Sequence, residues 1–292
     1  MLPPFEIGGV RFQGNESPDY SPYRCYMMVE HVVTKVLITV MTYPHPSRGY
    51  QELVCTAGVT ESGDWIRLYP IDYRYREKQQ QFKKYQWIEV ALGPNGAGND
   101  NRKESRRPDL DSIKLLGKPL DTKHKWRDRR TIIDQLPHFT RNELVNLHEK
   151  DKTSLGVVRP TRVLDLEIRP ADTEWKPEWQ SLFTQLTLFG KPQKPLRKIP
   201  FTFHYVFECE DSGDKPHTAM CEDWELGMLF LNEAQRLGSD EAAAESVRNK
   251  FLGELCREDK DTRFFMGTHF PYNTWLVLGV FWPPKDAQGT LF

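Results

Sequence analysis

A chain of 292 residues has room for one large domain or two smaller ones, each with its own core. With 38% hydrophobic and 28% charged residues and a net charge of −1, its composition is that of a soluble globular protein; 12% aromatics and 21 prolines favour strands and bends over a helix bundle. Nothing in the sequence points to a membrane, secreted or metal-knuckle class. The longest apolar run, "WLVLGVFW", is bounded by Asn273-Thr274 and Pro283-Pro284, and no basic-then-apolar secretory segment opens the chain. The cysteines at 25, 55, 209, 221 and 256 form no Cys-x-x-Cys, which points to a reduced, cytoplasmic setting.

In chain order, residues 1–34 have no periodicity and many turn formers, and read as a loosely ordered leader. "KVLITVMTYP" (35–44), "ELVCTAGVT" (52–60), "WIRLYPI" (65–71) and "YQWIEVAL" (85–92) read as four short strands with turns between them, the signature of a small β-barrel over 35–108. Residues 109–160 read as a basic connector with short helices. One of these, "RNELVNLHEK", is capped by Thr140 with Glu143 three positions on. From 161 to 284 the chain reads as an α+β domain. It has strands at "TRVLDLEIRP" and "FTFHYVFECE", helices at "DWELGMLFLNEAQRL" and "DEAAAESVRNKFLGELCRE", and a closing hairpin, "RFFMGTHF" with "NTWLVLGVFW". Residues 285–292 read as a flexible tail. The fold class expected is α+β, an OB-like barrel followed by an α+β domain with antiparallel strands.

Charge is divided unevenly. Between 101 and 130 eleven Lys/Arg stand against five Asp/Glu, an excess of six, whereas between 205 and 261 fifteen acids stand against six bases, a deficit of nine. A basic front half with interleaved rings suits nucleic acid, DNA ahead of RNA, because cations neutralise phosphates and aromatic faces stack on unpaired bases. The expected contacts are Trp65 and Tyr69 for stacking, with Arg67 on the same strand face. Arg67, Arg74, Lys83, Lys84, Arg102, Arg106 and Arg107 are the expected phosphate contacts.

The stretch "LVCTAGVTESGDWIRLYPI", with "YQWIEV" and "NDNRKESRRPD" after it, resembles the strand pattern of the dual-OB-containing domains. That resemblance covers some 70 residues. It implies OB-like architecture and an accessory role in bacterial nucleic-acid modification, repair or defence against phage. This chain departs from the usual pattern in placing Leu68-Tyr69 between Ile66-Arg67 and Pro70.

An enzymatic alternative rests on the acidic half, where Glu208, Asp223 and Glu225 are candidate Mg²⁺ ligands for phosphodiester hydrolysis. Against it, a strand-borne acid followed by Glu-x-Lys is absent, and acids in "EDWE" suit a helix N-terminus. A third alternative is an interaction module with an acidic face. No Gly-x-Ser-x-Gly, phosphate-cradling loop or dinucleotide fingerprint occurs, so no other cofactor is expected. His204, Cys209, His217 and Cys221 fall within eighteen residues, at spacings that match no common zinc site, and no metal is assigned to them. Finally, "QLTLF" (185–189) and the terminal "QGTLF" (288–292) are similar to peptides that hold the bacterial DNA polymerase sliding clamp. The internal copy fits an amphipathic helix, so Gln288, Leu291 and Phe292 are the partner-binding candidates.

Overall fold

Strand β1 (Val32–Met41) shows how the first half is built. Val36 and Ile38 point into one core, and a register shift between Ile38 and Val40 reverses the alternation, so Met41 rejoins that core while Val40 faces the other way. A small hairpin, β2 (His45–Ser47) with β3 (Gln51–Leu53), leads to β4 (Thr56–Thr60), β5 (Trp65–Leu68), β6 (Trp87–Asn95) and β7 (Ser105–Leu116). The strands close into a barrel in the order β1-β4-β5-β7-β6, antiparallel except for the parallel β5–β7 pair. Its core is Val36, Ile38, Ile66, Leu68, Phe82, Ile88, Val90 and their neighbours. The computed structural model describes residues 31–47, 51–95, 100–181, 183, 196–269 and 272–285. Most of the expected leader, both Leu-Phe pentapeptides and the tail from 286 lie outside these.

Strand β7 corrects the expected boundaries, since the barrel runs to Leu116 and does not stop at 108. Only Ser105, Pro108 and Ile113 of its twelve residues are buried, because its outward positions carry Arg107, Asp109, Asp111 and Lys114. A strand charged on one face lacks the apolar run that announces a strand. The later part of the expected connector joins the second half, its strands pairing in the second sheet. Helix α1 (Lys123–Ile133) is followed by β8 (His138–Phe139), α2 (Arg141–Asp151) and β9 (Leu155–Val158). The capping box on α2 is present: Glu143 N–H donates to Thr140 Oγ1 at 3.2 Å and Thr140 N–H to Glu143 Oε2 at 2.7 Å.

The second half is a mixed sheet of seven strands. It adds β10 (Arg162–Pro170), β11 (Phe201–Glu208), β12 (His217–Cys221), β13 (Arg263–His269) and β14 (Thr274–Phe281), in the order β10-β11-β12-β14-β13-β9-β8. Helices α3 (Trp224–Leu237) and α4 (Asp240–Arg248) follow β12, and together with α2 they cover one face. The α+β class is therefore observed. Strand β14 alternates between two cores: Trp275, Val277 and Val280 face the helices, whereas Leu276, Leu278 and Phe281 face the barrel. There they meet Val40, Ala57, Val59 and Leu155 in a second apolar layer. Backbone bonds cross the same seam, with Tyr43 N–H donating to Glu222 O at 3.0 Å and Thr42 bridging Asp223. Among the described residues no helix is long and apolar enough to cross a membrane.

Candidate nucleic-acid interface

Trp65, Arg67 and Tyr69 share the outward face of the β5 strand line, as their alternation requires, but that face lies against the second sheet. Trp65 is half-buried, its ring edge-on to Phe265 with centroids 5.7 Å apart. Arg67 is 3% exposed and donates through Nη2 to Ser154 O at 3.0 Å. Room for its guanidinium comes from Gly267, where a Cβ would meet Arg67 Nη2 at 3.0 Å and Leu278 at 2.5 Å. Burial, and after it the Arg102 charge, pulls the Arg67 pKa down to about 10. Tyr69 lines a cavity of about 290 Å³ between the barrel and the sheet, with His45, Cys55, Arg67, Arg102 and His269 also on its walls.

Two more of the expected phosphate contacts are interior. Arg102, 8% exposed, is held by both carboxylate oxygens of Asp100 (Nε–Oδ1 2.8 Å, Nη2–Oδ2 2.7 Å) and donates to Thr268 O at 3.0 Å. Lys84 sits in the seam, its ammonium 2.9 Å from both Asp223 Oδ2 and Glu225 Oε2. Burial works against that charge, yet the two carboxylates hold the lysine pKa above its ordinary value. Arg67, Lys84 and Arg102 are thus corrected from phosphate contacts to interior ties. Each has its charge engaged away from solvent, and the cost of leaving a buried charge unpaired keeps it there.

Arg74 pairs with Glu52 at 3.1 Å. Burial, opposed by Arg74 and assisted by Asp72, raises the Glu52 pKa to about 6, and its Oε1 has no hydrogen-bond partner among the described residues. Between pH 4.5 and about 6 the folded state therefore retains a proton that the unfolded chain has released, and this group's contribution to stability falls as pH rises through that window. Denaturant titrations across it are expected to show a decline that Glu52→Gln removes.

The acidic candidates separate. Asp223 caps α3 by accepting Glu225 N–H at 2.9 Å, and it also accepts Val280 N–H at 3.2 Å and the Lys84 ammonium. With its oxygens so engaged, and Glu225 on the same ammonium, the pair is a structural ion cluster. Glu208 stands at the His217 end of the β11–β12 ladder, whereas Asp223 lies beyond Cys221 at the other. At ~3.3 Å per residue, some 15–20 Å separates them. Glu208, Asp223 and Glu225 do not form one metal site, which removes the geometric basis of the nuclease alternative.

What remains on the surface is Lys83, Arg106 and Arg107, together with cations that the residue-by-residue expectation does not include. Lys83 and Arg107 are exposed, and Arg106 is half-buried with Nη1 on the carbonyls of Lys103 and Ser105. Beyond them, Lys118, Lys123, Lys125 and Arg127 all point to solvent on the segment between β7 and the body of α1. The local excess of bases is the sequence signal for them. His124, Lys125 and Trp126 take left-handed backbone angles in succession (φ 49°, 55° and 65°), a conformation costing L-residues roughly 1–2 kcal/mol each. Burial of Trp126 offsets that strain. The indole is 7% exposed and packs edge-on to Phe281 and Trp282, with centroids 5.4 and 4.8 Å away. Arg129 lies over the Tyr85 ring at 3.9 Å and donates to Leu120 O. Further bonds from Gln86 Nε2 to Gly117 O and from Leu120 N–H to Tyr85 O tie the segment to the turn that bears Lys83.

Of the sulfur and imidazole groups, Cys209 and His217 come together with Asp211. His204 and Cys221 do not. His204 alternates onto the opposite face of β11 from Phe203, Tyr205 and Phe207, and Cys221 pairs with Phe203 at the far end of the ladder. Gln288, Leu291 and Phe292 lie outside the described residues.

Residues 137–292 match the model of a family described as a domain of unknown function, DUF8757, and residues 32–135 match that of a second such domain, DUF8758. No curated protein matches the chain. Among solved structures it is similar to a p204 HINb domain, with a TM-score of 0.31 and 8% identity over 88% of this chain and 98% of that one. It is also similar to a murine DNA-binding protein bound with double-stranded DNA, with a TM-score of 0.29 and 10% identity over 89% of this chain and 99% of that one. Superpositions at these scores share too little geometry to transfer a fold or a function.

Proposed function

The chain belongs to the DUF8757 family, and we propose that it binds nucleic acid through the basic segment that leaves the barrel after β7. The observation that carries this reading is the strained turn at His124–Trp126. Its indole is sunk in the seam while Lys118, Lys123, Lys125 and Arg127 are left in solvent beside Lys83. A chain that holds three consecutive left-handed residues in place to display cations has the character of a functional surface. Phosphates are the ligand such a surface suits, and Arg106 and Arg107 extend it along β7.

In this reading the barrel is OB-like. Its strand order, with a parallel pair closing it, is the connectivity of that five-stranded Greek-key barrel. Barrels of this kind commonly bind oligonucleotides over their second and third strands and the loops flanking them. Here those strands are β4 and β5, and Ala57, Val59, Trp65 and Arg67 on their outer face are covered by the second sheet. Backbone recognition therefore shifts to the segment after the fifth strand. Of the two expected stacking rings, Tyr69 is the one that lines the cavity between the barrel and the second sheet. The narrower form of the proposal is an accessory role in bacterial DNA modification, repair or antiphage defence, with Gln288, Leu291 and Phe292 docking on the sliding clamp. Sequence resemblance alone supports that form.

Fluorescence anisotropy with single- and double-stranded DNA and with RNA, repeated over a salt series, tests the reading. Every phosphate that the protein ceases to neutralise flattens the logarithmic salt slope by about 0.9 on duplex and about 0.7 on single strands. Joint charge reversal at Lys118, Lys123, Lys125 and Arg127 is therefore expected to lower affinity by more than tenfold across sequences and to flatten the slope by two or more. Affinity and slope that survive all four reversals would remove the segment from the interface.

A further inference from the structure

The turn that joins β11 to β12 gathers three metal-binding side chains on the side of the sheet away from the barrel. One ligand atom each from Cys209, Asp211 and His217 lies within 4.8 Å of the others. The scaffold holds all three independently. His217 stands opposite Phe207 in the β11–β12 register, the two rings 5.6 Å apart. Asp211 Oδ2 accepts the Thr140 hydroxyl at 2.6 Å, and its backbone carbonyl accepts the Asn142 amide at 3.1 Å, so the start of α2 fixes it twice. Cys209 is buried, its N–H is bonded to Ser212 Oγ at 2.6 Å, and the backbone N–H of Arg141 at the head of α2 points at its sulfur.

A second observation points to a ligand. His217 Nε2 is buried with no hydrogen-bond partner among the described residues. Leaving a buried ring nitrogen unsatisfied is unfavourable, and a cation accepting its lone pair would remove that cost. We propose that Cys209, Asp211 and His217 form a three-ligand site for a zinc-class divalent ion, completed by a water on the exposed Asp211 side.

The donor set selects the metal. A thiolate with an imidazole and a carboxylate suits Zn²⁺ or Co²⁺ and disfavours Mg²⁺ and Ca²⁺, which require oxygen ligands. Bonds of 2.0–2.3 Å place tetrahedral ligand atoms ~3.5 Å apart, so closing from the observed separation takes a shift of under ~1 Å per side chain. Burial, with the Arg141 charge adding to it and Asp211 opposing, lowers the His217 pKa. Binding forms the sulfur–metal bond, breaks the S–H bond and releases one proton to solvent. Thr140 is the outer partner that orients the carboxylate.

The site is tested with metal alone on the full chain after chelator treatment. Titration with Co²⁺ is expected to reach one equivalent, with a thiolate-to-cobalt charge-transfer band and the visible bands of a tetrahedral ion, both displaced by Zn²⁺. Cys209→Ser should abolish the charge-transfer band, His217→Ala and Asp211→Asn should each weaken binding tenfold or more, and Cys55→Ser should change neither. Absence of bands in the wild-type chain overturns the proposal, as does a charge-transfer band that persists in Cys209→Ser. Where Cys209→Ser fails to fold, His217→Ala decides, since unchanged cobalt affinity in that variant also overturns it.

Discussion

Lys84→Met is expected to destabilise the protein by about 3–5 kcal/mol, the range found when one partner of a buried ion pair is removed and the other stays behind. The reasoning lies in what Asp223 keeps and what it gives up. Its side chain is 1% exposed, and it would still cap α3 and accept Val280 N–H, but its charge would face a methionine instead of an ammonium. Glu225, with a side chain 57% exposed, can turn to water and contributes little to the change. The double variant Lys84→Met/Asp223→Asn removes both charges and should recover most of the stability. Equilibrium denaturation of the two variants reads this directly. A single variant within 1 kcal/mol of wild type would mean that water or another cation reaches Asp223.

Trp126→Ala is expected to cost a similar amount, about 3–5 kcal/mol, as large aromatic truncations in cores do. It also removes what holds the left-handed turn. Phe281 and Trp282 lose their edge-on neighbour, and the Arg129 guanidinium, 5.0 Å above the indole, loses one of its two rings. Backbone strain at His124 and Lys125 is then free to relax, and Lys118 to Arg127 lose their common placement. Nucleic-acid affinity should fall in this variant with every basic residue still present. The salt slope measured beside the affinity distinguishes a disordered cationic segment from a deleted one. Trp126→Phe, which keeps a ring in the seam, should retain most of both properties.

Period-two alternation in the sequence is enough to locate most of the strands, and helix signals such as Thr140 with Glu143 mark their ends within a residue or two. What alternation cannot convey is which face of a strand another element covers. Trp65, Arg67 and Tyr69 do share a face, and only the second sheet, supplied by residues from His138 onward, turns that face from a surface into a seam. Lys84 reads as a surface cation for the same reason, because its partners lie 139 and 141 positions away. Strand β7 is masked in the sequence because its outer face is charged along its length, while Cys209, Asp211 and His217 meet through a turn whose geometry their spacing does not announce. The basic segment is readable as an excess of charge, but the role of Trp126 in anchoring it is not.

The displaced register in β1 has a thermodynamic consequence. With Ile38 on one side of the kink and Val40 on the other, a single strand is a load shared by two apolar interiors. Pulling it out of either one strips the other, so neither half has a private melting event. Loss of order should spread through the whole molecule as one transition, with the strand acting as the common thread through both.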